Sequence, residues 1–324
     1  MTDFSNLFQQ LEKGLQEIGM PSEPKNLYEP IRYTLSLGGK RLRPLLSLIA
    51  QRIFDPVSNL AINPALAVEV FHNFTLIHDD IMDEAPIRRG KPSVYKKWNT
   101  NVAILSGDVM LVQAYQLLSE VPSSILPKVL SLFNKCAIEV CEGQQYDMDF
   151  ETRDTVLESE YIEMIRLKTA VLLGFALEMG ALIGGASKKD AKLLCEFGQK
   201  VGIGFQLKDD LLDVYGNESK FGKQVGGDII SNKKTFLLIN AFKRANATQK
   251  NELEHWLNIE EFDNISKVNA VKEIYNQLDI QKITEDKMNE YFNDGFTLLE
   301  QIDVTDEQKK LLKSFTEKLN RRES

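Results

Sequence analysis

The stretch LIHDDIMDEAPIRRG, residues 76–90, decides the fold prediction because it places acids at helical spacing inside an apolar segment. Asp79 and Asp83 are four residues apart, so on a helix they lie about 40° apart on one face. Like charges at this spacing destabilise a helix unless a cation neutralises them. Arg88 and Arg89 follow shortly after the acids. The stretch therefore predicts a helix that ends at a cation-dependent site.

The same acidic pattern occurs again in the stretch GFQLKDDLLDVYG, residues 204–216. Both copies read DDxxD, and here Asp209 and Asp213 hold the positions four residues apart. One such pattern is also typical of a solvated helix end, but two copies inside apolar segments disfavour that interpretation. Mg²⁺ takes carboxylate oxygens and is often shared with phosphate groups. If the two helices pack face to face, their aspartates and the basic segments that follow predict a metal–diphosphate site.

A basic turn, GGKRLRP at residues 38–44, precedes the first acidic helix. Glycines let a backbone approach a ligand closely, and the start of a helix attracts anions. The three cations Lys40, Arg41 and Arg43 therefore predict a phosphate site, with an ordinary basic helix boundary as the alternative. His72 lies seven residues before Asp79, about 20° away on the same helical face. It is a candidate for the same site, with a core histidine as the alternative.

Composition narrows the class of protein. The 324 residues include 39 lysines and arginines against 47 aspartates and glutamates, and the net charge of −8 argues against nucleic-acid binding. Three cysteines without a CxxC pair argue against a disulfide framework or a zinc site. The N-terminus lacks the segments of a signal peptide, and no apolar run reaches the roughly 18 residues of a membrane span. We therefore expect a cytoplasmic protein with no membrane span.

Apolar residues recur at spacings of three and four through nearly the whole chain, which is typical of amphipathic helices. We predict an all-α fold, in which residues 1–324 form a single-domain bundle of about ten or more helices around a central cavity. The predicted helices cover residues 4–18, 26–37, 44–54, 63–84, 98–119, 124–146, 158–185, 188–215, 232–245 and a C-terminal group from 249 to 320. The most polar segments, 85–97 and 216–233, are predicted to be non-helical.

Seven motifs, in their order and spacing, resemble those of the trans-isoprenyl diphosphate synthases, also called polyprenyl synthetases. Between about residues 26 and 240 the chain reads GGKRLRP, HNFTLIHDDIMD, RRGKP, EGQQYD, LKTA, GFQLKDDLLDVYG and GKQVGGDIISNKKT. The resemblance implies an isoprenoid synthase fold and a Mg²⁺-dependent prenyltransferase. Such an enzyme condenses isopentenyl diphosphate head to tail with an allylic diphosphate to give an all-trans prenyl diphosphate. The resemblance also implies a homodimer and about three Mg²⁺ ions per active site.

The resemblance also implies roles for individual residues. Metal coordination falls to Asp79, Asp83 and Asp209, with Asp80, Asp210 and Asp213 in support. The allylic diphosphate would contact Arg88, Lys168, Thr169, Gln206, Lys223 and Lys233. Isopentenyl diphosphate would contact Lys40, Arg43, His72 and Arg89. The groups expected to act on the reacting atoms are Asp79, Asp83, Asp209, Lys168, Thr169 and Gln206, while Gln144 and Asp147 would line the cavity. Lys234 matches no position of the motifs.

In the resembled family, residues just before the first acidic motif set the length of the product. A helical wheel places Thr75 about 40°, Phe71 about 80° and Phe74 about 140° from Asp79. Geometry therefore favours Thr75 and Phe71 as the floor of the cavity, whereas the family uses the position of Phe74. Core packing is the alternative for both phenylalanines. An aromatic Phe74 beside a small Thr75 predicts a short-chain product, with geranylgeranyl diphosphate first and farnesyl diphosphate second.

Two other classes of protein share some of these features. A class I terpene cyclase also carries a DDxxD helix in an all-α fold, but it would not need the basic turn GGKRLRP. A non-catalytic subunit of a prenyl synthase would tend to lose aspartates that this chain keeps. A plain helical scaffold leaves the paired acidic and basic clusters unexplained.

Overall fold

The computed structural model describes residues 2–216 and 226–321. The described chain is helical nearly throughout, which confirms the all-α prediction. The elements are α1 (Thr2–Glu17), α2 (Lys25–Ser36), α3 (Leu42–Phe54), α4 (Ile62–Met82), β1 (Ile87–Arg88), β2 (Lys91–Pro92), α5 (Val94–Lys97), α6 (Thr100–Leu118), α7 (Leu126–Thr152), α8 (Glu158–Ile165), a π-helical turn (Arg166–Ala170), α9 (Val171–Ile183), α10 (Lys188–Tyr215), α11 (Gly227–Ile230), α12 (Phe236–Arg244), α13 (Ala247–Asn258), α14 (Asn264–Gln277), α15 (Ile280–Glu300) and α16 (Asp306–Asn320).

The chain divides into two compact units. The first unit comprises Met1–Cys136, Leu172–Cys195 and Ile302–Leu312, and the second comprises Ala137–Val171, Glu196–Gln301 and Lys313–Ser324. The single domain predicted for residues 1–324 stays a prediction.

Helix α4 is the central element of the first unit, where it packs along α6 and against α3 and α1. It carries an almost continuous buried surface that includes Leu66, Val70 and Phe71. Burial of side chains of this size stabilises a fold by about 1.5–3 kcal/mol each. Packing on several sides therefore fixes the position of α4 among its neighbours in the first unit.

In the second unit, a π-helical turn interrupts the predicted helix 158–185 at Arg166–Ala170, between α8 and α9. A π turn inserts one residue into a helix, so apolar spacing does not reveal it, and such turns are frequent at functional sites. Helix α7 approaches this turn closely at Gly143, where a Cβ atom would lie 2.2 Å from the backbone nitrogen of Lys168. Glycine is therefore required at this contact.

Other differences from the sequence prediction are local. Helix α2 covers Lys25–Ser36 rather than residues 26–37, and Pro30 lies inside it. The segments predicted as non-helical contain the antiparallel pair β1–β2 and the short helices α5 and α11. Within the part of the chain that the structure describes, the helices are too short or too polar to cross a membrane.

Candidate active site

The first acidic motif lies at the C-terminal end of α4, in the first unit. Asp79 and Asp80 belong to its last turn, and Asp83 follows as the capping residue, with its N–H donating to the Asp79 carbonyl at 2.8 Å. The C-terminus of a helix carries partial negative charge, which adds to that of the carboxylates. Local chain geometry therefore creates a strong demand for positive charge at this end of α4.

Arg88 supplies part of that charge from strand β1. Its Nε and Nη2 atoms donate to Oδ1 of Asp80 at 2.9 and 2.5 Å, and Nη2 lies 3.5 Å from Asp79 Oδ2. Asp80 is 3% exposed. Burial raises the pKa of the Asp80 carboxyl, and the Arg88 guanidinium opposes that shift. Arg88, which is predicted to contact the allylic diphosphate, thus lies against Asp79 and Asp80, which are predicted to bind metal.

A second basic cluster in the first unit brings together Arg43, His72 and Arg89. The Nη1 atom of Arg43 lies 3.2 Å from Nε2 of His72. Burial, and then the nearby Arg43 and Arg89, hold the pKa of His72 well below its usual range. The imidazole is therefore neutral near pH 7 and can accept a hydrogen bond from Arg43. Lys40 is exposed on the turn before α3.

The glycine turn shapes this cluster. Arg89 adopts a left-handed backbone conformation (φ 53°) and donates from Nη1 to the carbonyl of Gly38. A Cβ atom on Gly39, whose own φ is +142°, would lie 3.1 Å from Cζ of Arg89. Gly39 therefore lets the Arg89 guanidinium lie directly against the backbone.

Arg41 behaves differently from the cations on either side of it in the sequence. It is 3% exposed, and it donates to Glu69, Glu12 and the carbonyl of Leu35 at 2.7–2.8 Å. The carboxylates raise its pKa against the effect of burial. Arg41 therefore holds α1, the end of α2 and α4 together, and only its neighbours remain as candidates for a phosphate site.

The second acidic motif lies near the C-terminal end of α10, in the second unit. Asp210 is 4% exposed and accepts hydrogen bonds from Tyr161 Oη and from Gln206 Nε2, the latter at 3.1 Å. Burial and the neighbouring Asp228 raise the pKa of Asp210 to about 8, although the two hydrogen bonds oppose the shift. Several carboxyl groups are thus crowded together here, as they are at the first motif.

Asp213 closes the motif and holds the start of α11. Its Oδ2 accepts from the N–H of Asp228 at 2.9 Å, and its carbonyl accepts from the N–H of Gly226 at 2.6 Å. Asp209 is half-buried on the same helix. Sequence reasoning missed Tyr161 and Asp228 because neither belongs to an acidic repeat. Asp228 does belong to the motif GKQVGGDIISNKKT, so membership of that motif could have identified it as a candidate.

The π-helical turn carries two further predicted residues. Lys168 Nζ lies 2.6 Å from Asp147 Oδ2, and Thr169 donates to Oε1 of Gln206 at 3.2 Å. Because Gln206 in turn donates to Asp210, the hydroxyl, the amide and the carboxyl form one chain of hydrogen bonds. These residues line a cavity of about 110 Å³ in the second unit, together with Tyr161, Asp228, Lys233 and Lys234.

Lys234, which matched no motif position, has a structural role. Its Nζ donates to the carbonyls of Phe150 and Glu151 at 2.7 and 3.1 Å, in the last turn of α7. An ammonium at this position satisfies terminal carbonyls and offsets the helix dipole. Lys223, predicted to contact the allylic diphosphate, lies outside the described residues.

The carboxylates fit Mg²⁺ by their chemistry, because hard oxygen donors in a site rich in negative charge are what this ion prefers. Among the residues that the structure describes, no group of three or more His, Cys, Asp or Glu side chains is already arranged to hold a metal. Arg88, Tyr161 and Gln206 instead occupy carboxylate oxygens. Metal coordination by Asp79, Asp80, Asp83, Asp209 and Asp213 therefore stays a prediction.

The residues predicted to set product length differ in burial. Phe71 is 1% exposed, and its ring centroid lies 5.1 Å from that of Phe133 and 5.5 Å from that of Phe74. Phe74 is half-buried, and its ring centroid also lies 4.8 Å from that of His78. Thr75 donates to the carbonyl of His72 at 2.8 Å. Phe71 is thus a core residue, and a role in product length stays a prediction for all three.

The chain is similar in sequence and in structure to known proteins. The family model described as polyprenyl synthetase matches residues 24–278. The chain is 44% identical to a geranylgeranyl diphosphate synthase of Methanosarcina mazei over 245 residues, which are 75% of each protein. It is 42% identical to a geranylgeranyl pyrophosphate synthase of Geoglobus acetivorans over 231 residues, 71% of this chain and 72% of that one. A crystal structure of a geranylgeranyl pyrophosphate synthase superposes with a TM-score of 0.95 at 42% identity, with all of both chains covered.

Proposed function

The chain belongs to the polyprenyl synthetase family, and from this premise we propose that it condenses isopentenyl diphosphate with an allylic diphosphate, with geranylgeranyl diphosphate as the main product. One observation carries the proposal beyond family membership. The first unit holds an acid–arginine cluster around Asp80 and Arg88 and a separate basic cluster around Arg43 and His72. A diphosphate that binds through metal ions needs a cluster of the first kind, and a second diphosphate that binds to cationic side chains needs a cluster of the second kind.

We propose that the aspartates of both motifs bind Mg²⁺ and that Arg88, Lys168 and Lys233 contact the allylic diphosphate. When bound, the metal would neutralise the charge that develops on the departing diphosphate. Arg88 would exchange a carboxylate oxygen of Asp80 for a diphosphate oxygen, because a guanidinium binds either anion through two donors.

Isopentenyl diphosphate would bind at Lys40, Arg43, His72 and Arg89. The neutral imidazole of His72 adds a polar group beside Arg43 without adding charge to the cluster. Arg89 is held by the carbonyl of Gly38, so less side-chain entropy is lost when a phosphate binds.

Thr169 and Gln206 line the cavity of the second unit beside the carboxyl of Asp210. Their oxygens carry partial negative charge, which stabilises an allylic cation, and a neutral hydroxyl or amide is a weak nucleophile that does not trap it. The hydrogen bond from Thr169 to Gln206 orients both groups in advance.

We also propose a homodimer that uses the outer face of α6. Leu105 and Val112 are each 58% exposed on this helix, and Ile104 and Tyr115 are 40% and 37% exposed. A run of exposed apolar side chains on one long helix is typical of a surface that another protein covers. Leu105→Asp is expected to convert the dimer to a monomer in light scattering, whereas an unchanged mass would exclude this face.

The enzymatic proposal is tested by incubating the protein with Mg²⁺, isopentenyl diphosphate and, in separate reactions, dimethylallyl, geranyl or farnesyl diphosphate. We expect geranylgeranyl diphosphate by mass spectrometry, and no product when EDTA removes the metal. Asp79→Asn and Arg43→Gln are expected to lose activity by about a hundredfold or more. No product with any starter would overturn the proposal, and a cyclic hydrocarbon would indicate a cyclase instead.

A further inference from the structure

A buried lysine on α14 has no part in the site described so far. Lys267 is 0% exposed, and its ammonium donates to Oδ1 of Asn232 at 2.6 Å. It also lies 3.4 Å from the carbonyl oxygen of Ile230 and 4.1 Å from the centroid of the Phe262 ring. Burying an ammonium is costly unless its donors are satisfied, and these three partners are all neutral. Burial accordingly lowers the pKa of Lys267.

Asn232, the residue that Lys267 contacts, occupies a special position in the backbone. Its φ is 57°, in the left-handed region that asparagine tolerates better than most residues. Its side chain is held at both ends, because Nδ2 donates to the carbonyl of Leu257 at 3.1 Å while Oδ1 accepts from Lys267. Lys267 therefore helps to fix a left-handed turn immediately before Lys233.

The turn of residues 228–233 links this lysine to the second acidic motif. The N–H of Lys233 donates to the carbonyl of Asp228 at 2.9 Å, and the N–H of Asp228 donates to Asp213 at 2.9 Å. The turn is thus tied to α10 at its beginning and to Lys267 at its end. Asp228 and Lys233 line the 110 Å³ cavity, whereas Lys267 is not among its lining residues.

We propose that Lys267 is a positioning residue that acts through Asn232 to hold Lys233 and Asp228 in place for diphosphate binding. This inference rests on the proposed function of Lys233. A lysine side chain on a loosely held turn must be ordered when the anion binds, and that ordering reduces affinity. A buried donor that fixes the turn beforehand removes part of this cost.

The test compares Lys267→Met, which keeps the length of the side chain and removes the charge, with Ile274→Ala on the same helix. Ile274 is 2% exposed, so its truncation controls for loss of core packing on α14. Two readouts are measured: Mg²⁺-dependent binding of inorganic pyrophosphate by calorimetry, and KM for each substrate.

We expect Lys267→Met to weaken pyrophosphate binding and to raise KM for the allylic diphosphate, each by about tenfold. KM for isopentenyl diphosphate should change by less than about twofold. Ile274→Ala should leave both constants near those of the parent protein, and Lys267→Arg should restore part of the loss. Asn232→Ala should reproduce the effect of Lys267→Met. If Lys267→Met does not fold, Asn232→Ala is measured in its place.

A double-mutant cycle with Lys233→Ala separates positioning from general destabilisation. If Lys267 acts through Lys233, then Lys267→Met should weaken pyrophosphate binding by less than about twofold further in the Lys233→Ala background. Additive losses, equal changes in the two KM values, or the same losses in Ile274→Ala would overturn the proposal. So would a parent protein that does not bind pyrophosphate. A parent protein that binds pyrophosphate but forms no product refutes the proposed function alone, and the binding data still decide the role of Lys267.

Discussion

Gly143→Ala is expected to separate α7 from the π-helical turn that carries Lys168 and Thr169. The added Cβ atom would lie 2.2 Å from the backbone nitrogen of Lys168, and an ordinary contact begins at 3.4 Å, so the backbones must move apart by about 1.2 Å. Overpacking against backbone costs about 3 kcal/mol. Alanine returns about 1 kcal/mol through its higher helix propensity. We therefore expect the free energy of unfolding to fall by about 2 kcal/mol.

The same displacement should impair activity. A shift of about 1 Å would break the 2.6 Å contact between Lys168 and Asp147, and misplacement of this size can cost about a hundredfold in rate. Urea unfolding gives the stability, and kcat/KM for the allylic diphosphate gives the activity. The matched control is Gly14→Ala in α1, where the new Cβ atom would meet the flexible tip of Leu66 at 2.8 Å rather than backbone. That variant should lose less than about 1 kcal/mol and keep its kcat/KM.

Two outcomes would refute this reasoning. If Gly143→Ala unfolds at the same urea concentration as the parent protein, then the backbones are not in tight contact. If it is destabilised as expected but retains its kcat/KM, then the position of Lys168 does not matter for the reaction.

Three further predictions concern other parts of the chain. Arg41→Met leaves Glu69 buried without its ion-pair partner and should lower the free energy of unfolding by about 3–5 kcal/mol; a loss below about 1 kcal/mol in urea unfolding would contradict this. The pKa of Asp210 is about 8 in the folded protein and about 3.9 in the unfolded chain. The contribution of this group to the free energy of unfolding is therefore complete below about pH 4 and is lost as the pH rises through 8. In EDTA, Asp210→Asn should therefore unfold with a flatter pH dependence between about pH 4 and 8, and an unchanged slope would argue against the raised pKa. Phe74→Ala should lengthen the prenyl product in mass spectrometry, because it removes the half-buried ring beside Phe71, and an unchanged chain length would exclude Phe74 as the floor of the cavity.

The prediction of a prenyl diphosphate synthase from seven short motifs is confirmed by the family model and by the relatives. Helix boundaries were also predicted closely, with α4 and α10 within two residues of expectation. Both results depend on local information, since helical periodicity and motif spacing involve residues near one another in the chain. The π-helical turn at Arg166–Ala170 escaped prediction because a single inserted residue does not disturb apolar spacing enough to be seen.

A spacing of four residues and the helical repeat suffice to predict that Asp79 and Asp83 share one face at the end of a helix. The sequence pattern does not reveal which cations of GGKRLRP are available to a ligand. Only tertiary structure sends Arg41 into the core against Glu69 and leaves Arg43 beside His72.

Packing likewise decided the surroundings of Asp210 and Lys233. Tyr161 reaches Asp210 across 49 residues of chain, and Lys267 reaches Asn232 across 35. Such contacts depend on how separate helices pack, and periodicity along one helix carries no information about its partner. Metal binding and diphosphate binding could therefore be predicted from the sequence. The raised pKa of Asp210 and the anchoring of the turn before Lys233 depend on burial and long-range hydrogen bonds that exist only in the folded chain.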